Sequence, residues 1–206
     1  MPDGHFKSML LVAGLVLLMT APMCGAAVIF DNGSYSGDQI GRYNGGPWTM
    51  IEDFTVSSTT VVTGLWWQQH DEPFTYTNTV INFFNGTPSS GTLIASYTVS
   101  ASRTANALPV LFGDYSGYDY TVNGLVVPLS PGTYYFSIHN NSATSYTTWD
   151  QTTGNGSTIA GRWQSDSPPS PGNFYSTEDS VFQVLAETGG TQIPEPGSVL
   201  LLAGGV

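Results

Sequence analysis

Aromatic side chains set among Asn, Asp and Gln are the feature of this chain best suited to chemistry. Trp66, Trp67, Tyr115, Tyr118, Tyr120, Trp149 and Trp163 make up the inventory. Flat rings stack on the C–H faces of sugars, while amide and carboxylate oxygens add directional hydrogen bonds. Trp66, Trp67, Tyr118, Trp149 and Trp163 are therefore the candidate glycan-binding residues. Trp66 and Trp67 are neighbours, so a strand sends them to opposite faces and at least one belongs to the core.

Carboxylates offer a second chemistry. Glycoside hydrolysis takes two carboxyl groups about 5–9.5 Å apart across the sugar bond. Glu52, Asp53, Asp71 and Glu72 are the candidates, the last two close in sequence to Trp66 and Trp67. Adjacent acids on a strand face opposite ways, so each pair supplies one side chain to any cleft. Asp71-Glu72-Pro73 also reads as a turn. A hydrolase acting on extracellular glycans is thus the alternative to a non-enzymatic binding protein. The stretch "FDNGSYSGDQ" gathers Asp31, Asn32 and Asp38. Those oxygen donors suit a structural Ca²⁺, although the spacing is not that of an EF-hand, and a polar turn is the plainer reading. No other cofactor is expected. His70 and His139 are far apart in sequence, which speaks against zinc, and there is no Gly-x-Ser-x-Gly elbow or phosphate-cradling loop.

Positioning such residues is the task of strands. Charged residues make up 9% of the chain, against about 25% in ordinary domains. Polarity comes from Ser, Thr, Asn and Gly, which suit turns and solvated strands better than surface helices. "GTYYFSIHN" puts Tyr134, Phe136 and Ile138 on one face and Thr133, Tyr135, Ser137 and His139 on the other. In the same way "TLIASYTVS" aligns Leu93, Ala95, Tyr97 and Val99. Further strands are predicted in "WTMIEDFTV", "STTVVTGLWWQQ", "FTYTNTVINFF", "DYTVNGLVVPL" and "DSVFQVLA", while residues 162–179 read as a long surface loop. Asn-Gly pairs at Asn32, Asn44, Asn85, Asn123 and Asn155 mark turns that need positive φ. Ten or so strands with hairpin-sized connections predict an all-β fold, an antiparallel β-sandwich of jelly-roll type over residues 28–187.

The ends concern address. Lys7 precedes an apolar run of 11 residues, 9–19, followed by small residues. That run fits the core of a secretory signal, about 7–15 residues, and is short for a membrane span. Residues 1–27 are expected to be a signal peptide cut near Ala26 or Ala27, leaving a body with no cysteine and hence no disulfide. The formal charge is −11, and the body's only Lys or Arg residues are Arg42, Arg103 and Arg162. A nucleic-acid partner is excluded, since phosphate binding needs a basic footprint. After a linker at 188–193, Pro194 and Pro196 stop any sheet and Ser198 caps a new apolar run. From Ser198 to Val206 a helix would cover only ~14 Å.

Ile193, Pro194, Glu195, Pro196, Gly197 and Ser198, followed by "VLLLAGG", resemble the sorting tail of bacterial exported proteins with a PEP-CTERM signal. Residues 194–206 match the motif and the opening of its helix, without the rest of the helix or the arginine cluster. The resemblance implies processing by signal peptidase and then by an exosortase. It also implies transient membrane association through the tail and delivery to the cell surface or extracellular matrix. "VIFDNG", "EDFTV", "LSPGTYYFSI" and "SVFQVLAE" are similar to segments of domains found ahead of such tails. That resemblance implies no catalytic residues. The expected function is that of an exported matrix or surface protein, with extracellular polysaccharide as its ligand.

Overall fold

A computed structural model describes residues 26–37, 42–43, 48–71, 78–87, 91–111, 114–141, 147–150, 152, 161–164 and 179–187. Within residues 42–43, 48, 147–148 and 161–164 the description is of the backbone. All belong to Ala26–Thr188, one of two units into which the chain divides. The first six strands are Ala26–Asp31 (β1), Arg42–Tyr43 (β2), Trp48–Val56 (β3), Thr60–Asp71 (β4), Thr79–Asn85 (β5) and Thr92–Val99 (β6). Ser102–Ala105 (β7), Ser116–Leu129 (β8), Gly132–Asn140 (β9), Thr147–Trp149 (β10), Gly161–Gln164 (β11) and Phe182–Glu187 (β12) follow. Among the described residues there is no helix, and none long and apolar enough to cross a membrane.

The strands form two antiparallel sheets. One has five strands in the order β11-β3-β9-β5-β6. The other has seven and is organised by β4: β12 and then β10 pair along one edge of it, and β8 runs along the opposite edge. A single apolar core takes side chains from both sheets. Met50, Phe54, Phe83 and Phe136 come from the smaller sheet, and Val62, Trp67, Trp149 and Phe182 from the larger. Phe136 meets Phe182 edge-on at 4.8 Å between ring centres and tilts against Trp149 at 5.8 Å. Both separations lie in the favourable range for aromatic pairs.

The alternation in β9 holds on its inner side, where Phe136 and Ile138 are fully buried. Its other side is exposed at Thr133 but covered further along. Tyr135 clusters with Ile51 and Phe84, and Ser137 is also enclosed. In β6 the predicted stripe breaks at Leu93. The ladder passes from Phe83↔Ala95 to Phe84↔Leu93, so Ile94 is an extra residue. A bulge of this kind reverses the faces beyond it, which leaves Leu93 half exposed while Ala95, Tyr97 and Val99 pack on the core.

Asn123-Gly124 forms a bulge inside β8 rather than a turn. Gly124, Leu125 and Val126 together face the single Thr63, and Gly124 has φ 80°, a region that side chains with a Cβ avoid. Tyr97 spans the gap from the smaller sheet: its hydroxyl donates to Val126 O at 2.9 Å and accepts from Val126 N at 3.1 Å. Residues 162–164, read from sequence as loop, belong to β11 and pair with Met50, Thr49 and Trp48. The first strand starts at Ala26, two residues ahead of the expected body.

Candidate functional site

β4 divides its polar residues between two environments. Trp67, Gln69 and Asp71 turn inward, and Trp66, Gln68 and His70 turn outward, as the period-2 pleat requires. The inward set forms a closed network. Trp67 Nε1 donates to Gln69 Oε1 at 2.8 Å, and Gln69 Nε2 donates to Asp71 Oδ1. Asp71 Oδ2 takes the Tyr120 hydroxyl and lies 3.2 Å from Arg103 Nη2. Asn140 Nδ2 donates to Gln69 Oε1 at 3.4 Å, and Asn140 Oδ1 accepts from Thr79 Oγ1 at 2.9 Å. Burial pushes the Asp71 carboxyl up from 3.8 to about 6, despite those donors.

This enclosure corrects several assignments made from sequence. Trp67 stacks on Tyr120 with 5.3 Å between ring centres and has no exposed surface. Trp149 is equally buried, its Nε1 donating to Val181 O. Neither reaches a ligand, because each ring is core. Glu52, Asp53 and Asp71 are buried too, so none of these three faces a cleft. Glu52 Oε1 accepts from Ser180 N at 2.9 Å, and burial drives its pKa well above the ordinary 4.5 against the hydrogen bonding of Ser180. Glu72 lies outside the described residues.

The outward face of β4 carries the groove. Its volume is about 340 Å³, and Trp66, Gln68, Tyr35, Asp31, Gln183 and Leu108 line it with Gly33 and Ser34. Gln183 sits directly opposite Trp66 across the β12–β4 ladder, so the amide stands beside the indole on one face. Asp31 forms one end: its Oδ1 accepts from Gly33 N at 2.9 Å and its Oδ2 from Gln183 Nε2 at 3.0 Å. Leu108 brings the segment 106–111 to the lining as a further wall. Asn106 Oδ1 takes the Leu108 N–H at 3.1 Å, and Asn106 Nδ2 donates to Asp119 Oδ1, which also receives Gln68 Nε2. This wall lies so close to β8 that a Cβ on Gly117 would meet Asn106 Oδ1 at 2.3 Å.

His70 anchors the wall from beneath. Its Nε2 faces Pro109 O at 2.9 Å and its Nδ1 bonds Asp150 Oδ1, with the Tyr35 ring 5.8 Å away. Burial lowers the pKa of this ring, but the hydrogen bond and charge of Asp150, the Pro109 carbonyl and the charge of Asp71 outweigh it and raise the balance above 6.5. A carbonyl oxygen only accepts, so Nε2 carries a proton. The raised pKa favours the imidazolium, in which Nδ1 donates to Asp150 as well. Burial likewise raises Asp150, against the pull of His70.

Of the remaining candidates, Tyr118 lies on β8 under the Arg103 guanidinium, 3.4 Å above its ring, and is not part of the groove lining. Trp163 is opposite Thr49 in the β11–β3 ladder, and its side chain is outside the described residues. Asp31 and Asn32 lie in different environments. Asp31 is exposed, whereas Asn32 is buried with Nδ2 donating to Ser180 O at 2.9 Å. Asp38, Pro194, Glu195 and Pro196 lie outside the described residues, and no trio of His, Cys, Asp or Glu among those described gathers for a metal. Sequence reasoning singled out Trp66 but missed Tyr35, Gln68, Gln183 and Leu108. Gln183 was legible as the outward residue between Phe182 and Val184; Leu108 comes from a segment with no periodic signal. Comparison with protein-family models, curated proteins and solved structures finds no match to this chain.

Proposed function

We propose that this is an exported surface or extracellular-matrix protein whose two sheets form a jelly-roll sandwich and bind polysaccharide without cleaving it. The observation that carries the binding reading is the groove beside Trp66. A half-buried indole and a tyrosine ring share it with two glutamines and one carboxylate. Its volume is at the lower end of the range for small-ligand sites, about 300–1,000 Å³. A stacking ring bordered by directional polar groups suits a sugar unit of a longer chain lying across an open face. Asp31 is the sole acid among the described lining residues, whereas hydrolysis takes two. Binding without turnover is therefore the preferred reading. The export signal and the Pro194-Glu195-Pro196 tail support delivery through signal peptidase and an exosortase to the cell surface or matrix.

Titration calorimetry of the purified body against a panel of soluble oligosaccharides tests the binding reading. Binding that Trp66→Ala reduces at least about tenfold supports it; an exposed aromatic anchor is worth one to a few kcal/mol, roughly. Absence of binding across the panel, undiminished binding by the variant, or release of shorter sugars overturns it.

A further inference from the structure

We infer that the groove selects uncharged, hydroxyl-rich glycans over acidic ones, an inference that rests on the glycan-binding reading and names its ligand class. The reason is the orientation of two amides. A carboxylate accepts hydrogen bonds and has none to donate. Gln68 Nε2 lies 3.0 Å from Asp119 Oδ1, and Gln183 Nε2 lies 3.0 Å from Asp31 Oδ2. Each carboxylate fixes the NH₂ end of its glutamine and so turns the Oε1 end away from itself. Each glutamine thus offers a ligand its carbonyl oxygen beside the one N–H its carboxylate leaves over, and Asp31 adds carboxylate oxygen.

Trp66 stands between these acceptors, with Gln183 across the ladder and Gln68 two residues along the same strand. A sugar ring on the indole thus presents its hydroxyls to oxygens, which take the donated protons. A uronic acid or sulfated sugar brings further acceptors and negative charge. No Lys, Arg or His is among the described lining residues to receive them, and the chain itself is at −11. Like charges then oppose binding.

The test compares a neutral glucan oligomer, a polyuronate oligomer and a glucosamine oligomer of equal length, by calorimetry at low and at high salt. Neutral oligomer bound at least about tenfold more tightly than polyuronate at both salt levels supports the inference. Gln183→Lys, which places a cation beside Trp66, is expected to narrow that gap. Polyuronate bound as tightly as the neutral oligomer overturns it. Glucosamine oligomer bound no more tightly than polyuronate also overturns it, since negative charge at the groove then plays no part in selection. If no oligomer binds, the glycan reading fails and this inference falls with it. A ligand-free readout separates the two: the side-chain NH₂ protons of Gln68 and Gln183 are expected to exchange slowly with water by NMR, with Asp119→Asn speeding only those of Gln68. Fast exchange of both in the wild-type protein overturns the amide orientation whatever binds.

Discussion

Neutral pH is expected to be worse for this fold than mild acid, and Asp71 shows why. Its carboxyl has almost no exposed surface and is held at about 6 against an ordinary 3.8. A folded-state pKa above the unfolded value means that the native protein binds the proton more tightly. The stability this provides is complete below the unfolded pKa and is lost as pH rises through the folded one. At 1.36 kcal/mol per pKa unit, full ionisation of Asp71 costs about 3 kcal/mol, most of it between about pH 4 and about pH 6. For a chain of this size that corresponds to a fall in Tm of roughly 6–12 °C. Glu52 and Asp150, also raised by burial, push in the same direction. Thermal melts followed by circular dichroism from about pH 4 to about pH 8, on the wild-type protein and on Asp71→Asn, read the effect. The variant has no carboxyl to ionise at this position, so its Tm should fall less steeply with pH. A wild-type Tm that climbs toward neutrality, or an equal slope in the variant, refutes the reasoning.

The raised pKa of His70 contributes stability that is present below 6.5 and lost as pH climbs through its folded value. NMR of the ring should therefore show both nitrogens protonated at pH 6.5, and a neutral ring there contradicts the arrangement. His70→Ala leaves the Asp150 carboxylate buried without its cation and is expected to cost about 3–5 kcal/mol in urea unfolding. Phe182→Ala removes the ring that meets Phe30, Phe136 and Trp149 and is expected to cost about 3–5 kcal/mol by the same assay. Gly64→Ala drives a Cβ to 2.5 Å from Val122 O and should cost roughly 1–3 kcal/mol through overpacking. Gly124→Ala meets nothing within 4 Å but must hold φ 80°, so its cost is backbone strain of about 1–2 kcal/mol.

Much of the strand content was readable because a half-buried strand writes its burial as a period of two. "WTMIEDFTV" matches β3 residue for residue, and Phe136 and Ile138 fell on the inner side as their spacing demanded. Departures arose where a neighbouring strand, rather than the local residues, set the geometry. Ile94 is surplus only because β5 has no residue to oppose it. Asn123-Gly124 looks like a turn locally, yet the long β4 ladder carries β8 straight past it. Residues 162–164 have no alternation of their own and are strand through the edge of β3.

By itself the sequence determined that the described body is built of strands, that Trp66 and Trp67 part company, and that the chain is strongly acidic. Composition and pleat periodicity are local properties, so they need no knowledge of the partner strand. Which tryptophan faces water was a different matter: it depended on the side of β4 that the second sheet covers. The groove itself joins Asp31, Trp66, Leu108 and Gln183, residues up to 152 positions apart. Only the antiparallel register of β12 on β4, with the 106–111 segment laid over His70, brings those side chains to one place.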